Sequence, residues 1–125
     1  MSEENVELVR RIYALWDAGE SARELIDRDL EYENPPYAVE AGVKRGRSTL
    51  GAIREVYPDF RFEPEQYRDA GADVVVIGVA RGTGASGVRI QWRQGYVWTI
   101  RDGRAVRFRW FNDPAEALQA TGLEA

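Results

Sequence analysis

The sequence contains no cysteine, no histidine and a single methionine. Without cysteine there is no disulfide, no thiolate nucleophile and no sulfur-ligated metal. Without histidine the commonest general base and the commonest metal ligand are both missing. A metal would need oxygen ligands, and no Asp/Glu cluster has the loop spacing to supply them; no cofactor is expected. No apolar run reaches the ~18 residues of a membrane-spanning helix. The opening MSEENVELVRR lacks a signal-peptide pattern, so a cytoplasmic protein away from the membrane is expected. Positive charge is not in excess either: the net charge is -4, which gives no general attraction to nucleic acid or to anionic lipid.

Apolar and aromatic residues are plentiful, at 44% and 11% of 125 residues. That length suits one domain over residues 1–125, able to bury roughly two-thirds of its unfolded surface. Four Trp, six Tyr and four Phe raise the question of whether the rings fill a core or line a cavity.

The first segment reads as a helix. Ser2 is placed to cap it, Glu3, Glu4 and Glu7 sit near its positive end, and Gly19 stops it. Val6, Val9, Tyr13 and Trp16 recur at helical spacing, widened by Ile12 and Leu15. A short second helix is predicted from Ser21 to Ile26, a strand from Leu30 to Asn34 ended by Pro35 and Pro36, and a loop from Tyr37 to Gly46. A third helix is predicted from Ser48 to Tyr57. From Phe60 onward the period changes to two. Strands are expected over Phe60 to Arg68, Asp73 to Thr83, Val88 to Ile100 and Arg104 to Asn112. Arg101, Asp102 and Gly103 make a tight hairpin turn, and a helix from Pro114 to Thr121 closes the chain. Early helices followed by hairpin-linked strands indicate an α+β fold.

Alternation along the long strand separates Val88, Ile90, Trp92, Gln94, Tyr96, Trp98 and Ile100 from Arg89, Gln91, Arg93 and Arg101. The first set is expected to face inward. The same rule places Phe108, Trp110 and Asn112 inward on the last strand, Phe60, Phe62 and Gln66 inward on the first long one, and Tyr32 and Asn34 inward after the second helix. The inward polar groups are then amides and phenols, an arrangement suited to the polar end of an apolar cavity. No carboxylate falls inward by this parity. Glu33 is the nearest, and a bulge near Asn34 or Pro35 would turn it in. Tyr13 and Trp16 on the first helix and Tyr57 on the third have both core and cavity readings. Lys44, Arg45 and Arg47 form a small basic patch, readable as a solvated loop or as a contact for an anionic ligand. The run GTGASG lies between antiparallel strands and reads as a turn.

The segments LWDAGE, ENPP and GAIREVY, with the ending VWTIRDGRAVRFRWFNDPAEALQATGL, resemble the nuclear transport factor 2-like superfamily. Within it they are most similar to the SnoaL-like branch, named for polyketide cyclases. The resemblance covers almost the whole chain. It implies a cone-shaped, strongly curved sheet wrapped around N-terminal helices, a pocket for a small apolar molecule, and a homodimer. Ketosteroid isomerases of this superfamily use positions that match Ile12, Asn34 and Tyr96, with an amide here in place of the Asp general base. The Arg-x-Asp of limonene epoxide hydrolases is matched by Gln94 and Tyr96, and scytalone-dehydratase-like sites use histidine, which is absent. Tyr57 matches a pocket-lining Tyr of the isomerases. Asp113 matches the acid/base Asp of SnoaL-type cyclases. Asp113, Pro114 and Glu116 are also an N-cap, N1 and N3 set for the closing helix.

Three readings stand open. The first is a cofactor-free isomerase, cyclase or dehydratase acting on an apolar carbonyl compound. In it, Asp113 or an inward Glu33 is the acid/base, and the substrate is held among Tyr13, Trp16, Asn34, Tyr57, Trp92, Gln94, Tyr96, Trp98, Trp110 and Asn112. The second is a non-catalytic binder using the same cavity. The third is a dimeric association module that uses the outer sheet face.

Overall fold

The computed structural model describes residues 2–124, without the Ser2 side chain. Helix α1 runs over Ser2–Asp17. The expected Ser2 cap therefore lies outside the described side chains. Helix α1 ends in a Schellman pair: Gly19 N–H donates to the Trp16 carbonyl at 3.0 Å and Glu20 N–H to that of Leu15 at 2.8 Å, with Gly19 at φ 75. Its inward face carries Val9 and Ile12, both fully buried. The expected second helix is only a 3-10 turn over Arg23–Leu25.

Six strands form one sheet in the order β2-β1-β6-β5-β4-β3. Strand β1 covers Ile26–Asn34, β2 Gly42–Arg45, β3 Arg61–Ala70, β4 Asp73–Thr83, β5 Arg89–Arg101 and β6 Arg104–Phe111. Neighbours are antiparallel except β1 and β6, which run parallel. The sheet is mixed and open-edged. Asp102 at φ 52 and Gly103 at φ 75 make the turn between β5 and β6, which suits the Asp-Gly pair.

Two stretches differ from expectation. β1 starts four residues early, at Ile26 rather than Leu30. Arg28, between the buried Ile26 and Leu30, is exposed where the pairing is irregular, which hides the alternation. Residues 48–57 do not make one helix but a 3-10 turn, Arg47–Gly51, and one α turn, Ile53–Val56, which we label α2. Neither buries a side chain fully, and the partial packing of Leu50 on the main core does not offset the cost of Gly51 inside a helix, about 1 kcal/mol.

The main core lies between α1 and the inner sheet face, with Leu30, Val74, Val76, Trp98, Ile100 and Phe108. A smaller core lies on the outer face, where α3 (Pro114–Ala120) packs Ala117 and Leu118 on Val75, Ile77 and Val97. Gly95 makes that docking possible. A Cβ there would stand 2.7 Å from the Ala117 Cβ and 3.1 Å from the Pro114 Cα.

Candidate functional site

Between α1, the inner sheet face and the segment 34–56 opens a cleft of about 1920 Å³. Its aromatic wall comes from helical spacing on α1 and strand alternation on β3, β5 and β6. Tyr13 meets Trp16, Phe62, Tyr67 and Trp98 at centroid distances of 5.6, 5.8, 6.3 and 6.0 Å. Tyr32 stacks on Phe108 at 5.2 Å, and Phe62 lies 4.2 Å from Tyr96.

The polar groups inside the cleft are phenols and amides. Tyr96 O–H donates to Gln94 Oε1 at 2.6 Å, and Gln94 Nε2 donates to Asn112 Oδ1 at 3.1 Å. This relay leaves the Asn112 amide N–H groups without a protein acceptor among the described residues. A second set anchors the loop after β1. Trp110 Nε1 donates to Asn34 Oδ1 at 2.6 Å, Asn34 Nδ2 donates to the Glu40 carbonyl at 2.8 Å, and Asn112 N–H donates to Tyr37 Oη at 2.8 Å. On α1, Tyr13 Oη accepts from Trp98 Nε1 at 3.1 Å. The Tyr13 O–H hydrogen meets no protein acceptor among the described residues.

Burial keeps these phenols neutral. Desolvation raises Tyr13 well above the ordinary tyrosine value, Tyr96 adds to the effect, and the Trp98 hydrogen bond opposes it. Burial also raises Tyr96, with Tyr32 contributing, and it pushes Tyr32 to about 12. The cleft's carboxylates lie at its exposed rim among the described residues: Asp17, Glu20, Glu40 and Glu63. Asp17 pairs with Arg61 at 3.6 Å, Glu63 with Arg81 at 2.6 Å, and Glu40 with Lys44. No group of Asp and Glu among the described residues is arranged to hold a metal ion.

A SnoaL-like domain model matches residues 9–108. The chain belongs to the SnoaL-like domain family. Among solved structures, an NTF2-like protein of unknown function from Burkholderia pseudomallei is 26% identical, with 95% of this chain and 98% of that one covered at a TM-score of 0.71. TerC, co-crystallised with polyporic acid, is 23% identical over 94% and 98% of the two chains, at 0.72. A SnoaL-like polyketide cyclase, so assigned provisionally, from Jannaschia sp. is 18% identical over 99% and 95%, also at 0.72. No curated protein sequence matches.

Within this SnoaL-like fold, Tyr13, Trp16, Asn34, Gln94, Tyr96, Trp98, Trp110 and Asn112 come together on the cleft. Tyr57 and Trp92 do not. They pack on each other at 5.6 Å, and Trp92 on Phe60 at 6.2 Å. The Tyr57 side chain covers Gly82, where a Cβ would stand 2.9 Å from the Tyr57 Cβ and 3.0 Å from its ring. Glu33 does not turn inward. The register from Glu31 to Asn34 is unbroken, so Glu33 stays on the outer face, bonded to Arg107. Asp113 is exposed and caps α3, accepting from Ala115 N–H at 2.9 Å. Gln66 is exposed as well. A bulge between Pro64 and Gln66 shifts β3 by one residue and turns Tyr67 inward instead. Arg45 faces away, paired with Glu31 at 3.0 Å, whereas Lys44 and Arg47 line the cleft.

Sequence reasoning missed Tyr37 and Tyr67. Tyr67 was hidden by the bulge. Tyr37 sits in a loop, where no periodicity assigns a face. The Pro35-Pro36 step before it, which stiffens the loop entry, was the available signal.

No helix among the described residues is long and apolar enough to cross a membrane.

Proposed function

We propose that this SnoaL-like chain binds a flat, mostly apolar, carbonyl-bearing molecule and does not itself supply a general base. The observation that carries this reading is the sorting of polar atoms in the cleft. The phenols of Tyr13, Tyr32 and Tyr96 and the amides of Asn34 and Gln94 lie inside, whereas the carboxylates lie at the exposed rim, beside Tyr37 and Asn112. Among the described residues, the O–H groups of Tyr13, Tyr32, Tyr37 and Tyr67 and the Asn112 amide N–H groups lie on the cleft lining and meet no protein acceptor. The Tyr96 oxygen, whose hydrogen is committed to Gln94, is left to accept. A ligand with one carbonyl and one hydroxyl satisfies both kinds of group, and the rings around it supply the apolar contact. TerC, of the same fold, was co-crystallised with polyporic acid, a further support for an aromatic occupant.

Tryptophan fluorescence tests the reading, because Trp16, Trp98 and Trp110 line the cleft. Titration with 9,10-anthraquinone is expected to give saturable quenching. Anthracene, which has the same outline without the carbonyls, binds about tenfold more weakly, a cost consistent with unpaired polar groups at the site. Tyr13→Phe narrows that difference. No saturable signal with either compound, or equal affinities, would sink the proposal.

Enzymatic isomerisation, cyclisation or dehydration is the second reading, and it rests on the position of Asp113 directly after Asn112. It requires Asp113 to leave the Ala115 amide and face the cleft. Turnover of a bound ligand that Asp113→Asn abolishes would establish it in place of the first.

A further inference from the structure

The rim of the cleft carries cations of two kinds. Lys44, Arg61 and Arg81 each face a carboxylate of the same rim, so their charge is locally balanced. Arg23, Arg47 and Arg54 also line the cleft, and among the described residues none has a carboxylate within ion-pair distance. The Arg47 Nη1 donates instead to the backbone carbonyl of Arg23 at 3.1 Å. That bond positions the guanidinium without neutralising it, and it ties the two 3-10 turns together. The chain as a whole is acidic, with a net charge of -4. Guanidinium groups without a carboxylate partner along an aromatic cleft are therefore a local feature that the overall composition does not supply. A guanidinium matches a carboxylate or a similar planar oxyanion through paired N–H donors.

We infer that the ligand is an aromatic acid, whose ring system sits in the cleft and whose anionic group faces Arg23, Arg47 and Arg54 at the rim. This deepens the small-molecule reading above and rests on it. The uncompensated arginines make the rim select for an anion, while the phenols and amides inside read the ligand's neutral polar groups. At the rim, solvent screens the attraction over about 8–10 Å at ordinary salt, so the contribution is modest and depends on ionic strength.

The test compares 9,10-anthraquinone-2-carboxylate with 9,10-anthraquinone-2-carboxamide, which share a ring system and differ in charge. Affinities come from tryptophan quenching at roughly 0.05 M and 0.5 M sodium chloride, a span over which the screening length falls about threefold. The acid is expected to bind about tenfold more tightly than the amide at low salt, with the ratio shrinking at high salt. In Arg23→Gln/Arg54→Gln, two exposed positions with no side-chain partner to lose, the acid is expected to weaken more than the amide. Arg47→Gln is measured separately, because it also removes the bond between the turns. Equal affinities at low salt, or a preference for the amide, overturn the inference and leave small-molecule binding intact. A preference for the acid that survives both in the double variant and in Arg47→Gln also overturns it, because the anion is then held elsewhere. Binding of neither compound overturns both readings.

Discussion

Replacing Gln94 by Leu should expose how strongly the relay inside the cleft is coupled. Gln94 and Tyr96 are 8% and 7% exposed, so water does not reach either freely. Gln94→Leu removes the acceptor of the Tyr96 hydroxyl, in a site walled by Phe62 and Phe108 at 4.2 and 5.0 Å from the Tyr96 ring. An orphaned buried hydroxyl costs about 1–3 kcal/mol. For a chain of this length that lowers Tm by roughly 3–12 °C. Tyr96→Phe removes the donor and costs about 1 kcal/mol, since Gln94 keeps its bond to Asn112. The double variant removes both partners. It should cost less than the sum of the two single changes by about 1 kcal/mol or more. Thermal unfolding followed by far-ultraviolet circular dichroism measures all four corners of the cycle. Additivity within about 0.5 kcal/mol would mean that the two side chains do not act as a pair, and the relay would be discarded.

Three further outcomes follow from the same structure. Asp113→Ala should lower stability by about 1 kcal/mol through loss of the α3 cap while leaving ligand affinity unchanged; a large fall in affinity measured by tryptophan quenching would place this carboxylate in the cleft. Gly95→Val forces its side chain against Ala117 and Pro114, and a loss of about 1–3 kcal/mol or more is expected in urea unfolding; an unchanged midpoint would refute the docking of α3 on Gly95. Alkaline pH should unfold the chain. The Tyr32 pKa rises from 10.0 to about 12 on folding, so the folded state holds this proton more tightly; its contribution is complete below pH 10 and is lost towards pH 12, at about 1.4 kcal/mol per pH unit for each retained proton, and phenolate absorbance that rises before unfolding and that Tyr32→Phe removes would contradict the burial.

The sheet was legible where one face is buried. In β5 the inward set from Trp92 to Ile100 holds without a break, because each step of alternation is enforced by the apolar face. In β3 the same rule holds to Pro64 and then fails. Proline donates no hydrogen bond, and the ladder slips there by one residue. Gln66 and Tyr67 exchange faces as a result, and an alternation pattern contains nothing that marks such a slip in advance. Strand β2 was read as loop because all its residues are exposed, which leaves no hydrophobic signal. The segment 48–57 shows the opposite error. It has a helical apolar pattern, but Leu50, Ile53 and Tyr57 are only partly buried, and that packing did not sustain a helix across Gly51.

The interior of the cleft was legible for a different reason. Its polar residues are those that parity left among aromatic neighbours, and Gln94 links Tyr96 to Asn112 through bonds among themselves. The chemistry of the site then follows from where charge is tolerated. A carboxylate held deep among Tyr96, Phe62 and Phe108 would lose its hydration and need a partner, at a cost of several kcal/mol. At the rim a carboxylate keeps its water and meets Lys44, Arg61 or Arg81. Phenols and amides avoid the penalty, and burial moves the phenols further from ionisation. The hydrogen-bonding pattern inside the cleft is therefore fixed across the physiological pH range. A dependence of binding on pH in that range must come from the ligand's own acidic group as it faces the arginines, and not from the wall that holds its rings.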